Sequence, residues 1–184
     1  MSDAIAERGR ELEEAFFRRL NEKTTADLRA REQQAQARDS ISKLTGITDT
    51  ALLDTLLALN LSPATVAAFG LLPLVEVAWA DGVVDAKERQ AVIDAALKAG
   101  LSGDGLDVLT QWLEHQPSAE LFTTWQNYAR AVTAKLTESD KQLMKHEMLG
   151  RARTVAEASG GVLGLGNKVS SNEAAVLKKI EDSF

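Results

Sequence analysis

Three carboxylates fall close together in the stretch "LLPLVEVAWADGVVDAKERQAV", residues 71–92: Asp81, Asp85 and Glu88. Side chains of this type at this spacing can do one of two things. They can close a turn, with Gly82 taking the left-handed cap of one helix, Asp85 capping the next, and Glu88 reaching back to complete a capping box. Or they can share a divalent cation. A cation would relieve the repulsion of neighbouring acids, about 1 kcal/mol per close pair in water. It would also relieve the cost of setting Asp81 at a helix C-terminus, against the macrodipole. Calcium normally takes six to eight oxygens, and the Asp-x-Asp-x-Asp-Gly ladder of an EF-hand is absent. The expected ion is therefore calcium or magnesium, weakly held and rich in water.

The other chemistry-bearing residues point to less. His146-Glu147 begins a His-Glu-x-x-His pattern, but Gly150 stands where the second histidine is needed, so no zinc pair forms. His115 falls in the last turn of a helix, where an imidazolium favours the dipole. "GGVLGLGNKVS" has the glycines and lysine of a phosphate loop, yet Asn167 replaces the glycine required before Lys168 and no strand leads in. Two histidines on different helices assemble no Ser-His-Asp set. Glu76, inside the most apolar segment, is the one acid placed for chemistry in a bundle cavity; a buried carboxylate is more often structural.

Composition narrows the class further. The 184 residues carry a net charge of −6, a pI near 5.0 and 45% hydrophobic residues. That balance suits one globular domain with an appendage, and it argues against a duplex nucleic-acid binder, which needs a basic face. Cysteine is absent, excluding disulfides, thiolate catalysis and cysteine-ligated metal. The first residues, "MSDAIAERGRELEE", lack the apolar core of a signal peptide, and a cytoplasmic setting is expected.

Stepping along the chain, the periodicity is helical nearly everywhere. Ile5, Leu12, Phe16 and Leu20 make one stripe from Asp3 to about Leu20, and the polar stretch after it reads as an exposed helical arm or a linker. Residues 1–45 form this N-terminal arm and 46–184 the main helical domain. Thr48 or Asp49 caps a short helix ending by Asn60. Ser62 caps the next, with Pro63 at its first position, running to Asp81 and kinked at Pro73. That segment is apolar enough to approach a membrane span. Gly70, Pro73 and Glu76 argue instead for a central helix wrapped by others. Asp85 with Glu88 opens a helix to Lys98 ending at Gly100; Ser102 and Ser118 precede two more, Thr137 with Asp140 another, and Ser170 with Glu173 the last. The fold class is all-α, a compact helical bundle.

The chain also repeats itself. "VAWADG" followed by "VVDAKERQAVI" matches "VAEASGG" followed by "KVSSNEAAVL", pairing Gly82 with Gly160, Val84 with Val169, Asp85 with Ser170 and Glu88 with Glu173. This predicts a duplicated helical-hairpin core. An apolar helix ending in Ala-Asp-Gly, then a hydrophobic residue and Asp-x-x-Glu opening an amphipathic helix, resembles the TerB family of tellurite-resistance proteins. The pattern is strongest from Val75 to Ile93 and extends over residues 50–184. The resemblance implies a bacterial stress-response setting, protein partners, and divalent metal at Asp81, Asp85 and Glu88. Ser159 and Ser170 depart from the acidic pattern in the second copy. In the arm, "ELEEAFF" and "LRAR" faintly resemble the helical ATPase-inhibitor zeta subunits.

Three functions follow as expectations. One is a non-catalytic TerB-like module that binds a protein partner. Another is a helical arm that mediates homo-oligomerisation or inhibits a larger assembly. The third is a small enzyme with a cavity around Glu76.

Overall fold

The computed structural model describes residues 2–159 and 169–184. Among them all regular structure is helical: α1 (Ser2–Thr45), α2 (Thr50–Ala58), α3 (Val66–Gly70), α4 (Leu72–Ala78), α5 (Ala86–Lys98), α6 (Asp104–Glu114), α7 (Ala119–Thr133), α8 (Glu138–Ser159) and α9 (Ser171–Glu181). None of these helices is long and apolar enough to cross a membrane. The glycine-rich stretch between α8 and α9, with Gly160 and Lys168, lies outside the described residues.

Helix α1 is one uninterrupted element; of the two readings of the stretch after Leu20, an exposed helical arm or a linker, the structure has the helical arm, continuous with the first helix. No glycine or proline occurs between Gly9 and Gly46, and residues 21–45 are dominated by good helix formers. It stops where Gly46 takes φ +72°. Only its last turns join the body. Ile41 is fully buried, Arg38 pairs with Asp54 of α2, and the Ser42 hydroxyl donates to the Ile47 carbonyl. Residues 16–36 are exposed throughout.

The centre of the body is α4. Leu72, Leu74, Val75, Val77 and Ala78 are buried, and the helix packs against α5, α6, α7, α8 and α9. The sequence predicts one helix from Pro63 to Asp81 bent at Pro73; the structure corrects this to two. Ser62 to Thr65 is a turn, in which the Ser62 carbonyl accepts from Thr65 and Val66, and helical structure begins only at Val66. It stops at Gly70 and restarts at Leu72, placing Pro73 in the first turn of α4. A proline there gives up an N–H that has no acceptor to lose, so a break ahead of it is cheaper than a kink behind it.

Around α4 the remaining helices contribute Leu109, Leu113, Trp125, Val155 and Ile180 to a single core. Trp125 stacks on Phe122 at 5.6 Å and meets the edge of Phe184 at 6.0 Å, which ties the last residue into the packing. Most helix starts fall where the sequence places them. Asp49 caps α2, Ser118 caps α7, and Thr137 bonds with Asp140 ahead of α8. Helix α6, like α3 and α4, starts without a side-chain cap, after Gly103.

Candidate functional site

The acidic turn joins α4 to α5. Trp79 closes α4, its indole Nε1 donating to the Trp112 carbonyl at 2.8 Å, and Gly82 reverses the chain at φ +85°. Asp85 then takes an extended backbone, and its Oδ1 accepts from the amides of Lys87 at 2.7 Å and Glu88 at 2.8 Å. Glu88, although buried, aims Oε2 at the Asp85 amide at 2.9 Å. This reciprocal pair satisfies amide donors that a helix N-terminus otherwise leaves unpaired.

The same device recurs at α9. Ser170 has φ −70° and ψ 167°, close to the −80° and 169° of Asp85. The Ser170 hydroxyl accepts from the Glu173 amide at 3.2 Å, and Glu173 Oε2 accepts from the Ser170 amide at 2.6 Å. Glu173 is buried like Glu88, and its Oε1 is buried without a hydrogen-bond partner among the described residues. The positive end of α9 offsets part of the cost of that orphaned oxygen. The paired positions of the repeat thus adopt one conformation at two junctions.

Asp81 links the two junctions. It lies three residues beyond α4, and its Oδ1 accepts from the Ser170 hydroxyl at 3.2 Å and from Asn172 Nδ2 at 3.0 Å. The carboxylate therefore faces the N-terminus of α9, where the dipole favours it, rather than only the C-terminus of α4, where the dipole opposes it. Ser170 explains itself by the same contact. A hydroxyl can accept from Glu173 and donate to Asp81 at once, whereas an aspartate here would set two carboxylates against each other. The three predicted residues are thus acceptors for the N-termini of α5 and α9. Among the described residues no group of three or more histidines and acids is placed to hold a metal ion.

Glu76 sits on α4, half-buried. Burial raises its carboxyl above the ordinary range, and the charge of Lys179 on α9 partly opposes that. A cleft of about 420 Å³ lies elsewhere, between α3, the α5–α6 turn and α8, and is lined mainly by apolar residues with Ser102 and Arg151. His115 terminates α6 and His146 is exposed on α8, with Glu147 bonded to Arg151.

Sequence reasoning missed Asn172 and the role of Ser170. Their partner is about 90 residues away in the chain. The one usable signal was the repeat itself, which makes the two junctions equivalent.

No family model, curated protein or solved structure matches this chain.

Proposed function

We propose that this chain is a non-catalytic helical interaction module in which the body anchors α1 and α1 binds a protein partner. The observation that carries the reading is the projection of α1. Phe16, Phe17, Leu20 and Leu28 are exposed on a helix whose residues 16–36 touch solvent throughout. Large apolar side chains grouped on an exposed element mark contact surfaces. The acids of the turn, by contrast, serve as acceptors inside the body. The setting we propose, a cytoplasmic bacterial stress response related to tellurite resistance, is supported by the TerB-like pattern from Val75 to Ile93.

A photo-crosslinking residue at Phe17, compared with one at Glu114 on the body, tests the reading in cells. Discrete products from position 17 and none from 114 are expected. Products from 114 alone, or from neither position, would remove α1 as the binding element.

A further inference from the structure

We infer that the partner of α1 is a second copy of this chain, the two helices pairing antiparallel with Phe16 of one copy beside Phe17 of the other. The inference rests on α1 being the binding element and names its occupant.

Charge is the first argument. The stretch "DAIAERGRELEE", residues 3–14, holds five acids and two arginines, a net −3. "RRLNEKTTADLRAR", residues 18–31, holds five bases and two acids, a net +3. The blocks flank Phe16 and Phe17 almost symmetrically. Parallel pairing would set like blocks side by side; antiparallel pairing about position 16.5 sets each acidic block against a basic one.

The apolar residues obey the same symmetry. In that register Ile5 falls opposite the partner's Leu28, Phe16 opposite Phe17, and Leu12 within one position of Leu20. On a straight helix at 100° per residue these six residues lie within one half of the circumference. The described ones, Phe16, Phe17, Leu20 and Leu28, are between 47% and 61% exposed. A second α1 would cover them, and neither block alone supplies both the charge and the stripe. Residues 3–30 of each copy would pair over about 42 Å, roughly four heptads. The bodies begin beyond residue 37 and would therefore sit at opposite ends, about 65 Å apart.

The purified 184-residue chain, free of cysteine, suits a direct test. Sedimentation equilibrium should give twice the 19.9 kDa chain mass at micromolar protein. Arg18→Glu with Arg19→Glu should raise the dimer dissociation constant about tenfold or more, while far-UV helicity of the body and its melting stay intact. Mixing that variant with Glu13→Lys, Glu14→Lys should restore the dimer. Direction is read from a spin label at Asp27→Cys. Antiparallel pairing about position 16.5 puts the two labels about 32 Å apart along the axis, and parallel pairing brings them within about 10 Å. A monomer at 100 µM concentration, a dimer indifferent to both charge swaps, or a short label distance overturns the inference. Adsorption of a monomeric chain to anionic vesicles would equally assign α1 to a lipid surface and overturn it. Crosslinks from position 17 to a different protein, with the purified chain monomeric, would sink this pairing and leave α1 a binding element.

Discussion

Replacing Asp81 with alanine removes an acceptor shared by two donors on another helical hairpin. The bonds to Ser170 and Asn172 are 3.2 and 3.0 Å long and exposed. Each is therefore worth the lower part of the usual 0.5–1.5 kcal/mol, and the carboxylate at the start of α9 adds about 0.3–1 kcal/mol before salt screening. Together these give a loss of about 1.3–2.4 kcal/mol for Asp81→Ala, or a fall in Tm of roughly 3–10 °C for a chain of this size. A cycle with Asn172→Ala isolates the pair, and a coupling of about 0.5–1 kcal/mol is expected from residues in direct contact. Asp81→Asn keeps an acceptor without the charge and should recover part of the loss, with the remaining deficit shrinking as salt rises. Urea unfolding of the four chains of the cycle provides the measurement. Coupling below about 0.2 kcal/mol, or a Tm unchanged in Asp81→Ala, would refute the claim that this carboxylate ties the α4–α5 junction to α9.

Ser170→Asp retains a good cap residue but faces Asp81 with a second carboxylate; at about 3 Å the repulsion is about 1 kcal/mol in water, so melting should fall, and Asp81→Asn in the same chain should restore it. Glu76 gives a pH signature. Because its folded-state pKa lies above its unfolded value, the folded chain binds the proton more tightly, and stability falls as pH rises between the two. Glu76→Gln should therefore raise Tm at pH 7 and converge on the parent below the ordinary glutamate range, about pH 4.3; parallel curves across that range would discount burial as the cause. For the acidic turn, calorimetry with calcium or magnesium to millimolar concentration should show no saturable heat, since Asp85 and Glu88 already accept backbone amides. Saturable heat that is lost in an Asp81→Asn, Asp85→Asn chain would establish the cation reading instead.

The parts of the fold legible in the sequence are those decided within one turn of chain. Asp85 with Glu88, and Ser170 with Glu173, cap their helices through bonds spanning three residues, so spacing alone announces them. Gly100 ends α5 at φ +82° for an equally local reason. What escaped was decided by distance or by competition. At Leu71 two outcomes compete, a kinked helix running through Pro73 or a new helix with Pro73 in its first turn, and the spacing of the apolar residues fits both. Asp81 looked misplaced at a helix end because its favourable partner, the start of α9, is remote in sequence and near only in the fold. The continuity of α1 past Leu20 was hidden by the loss of an apolar face, since amphipathicity reports burial and not helicity.

The union of α1 with the body has a mechanical consequence. Ile41 and Ile47 are both buried on either side of the turn at Gly46, the Ser42 hydroxyl closes that turn, and Lys135 holds the Gly46 carbonyl from the end of α7. Residues 2–37 therefore extend about 53 Å from a fixed fulcrum. A 10° swing at the fulcrum would carry the free end about 9 Å. Conversely, a load on that end is delivered to the contacts of Arg38, Ile41 and Ser42 with α2 and the turn, where the lever is shortest and the force greatest.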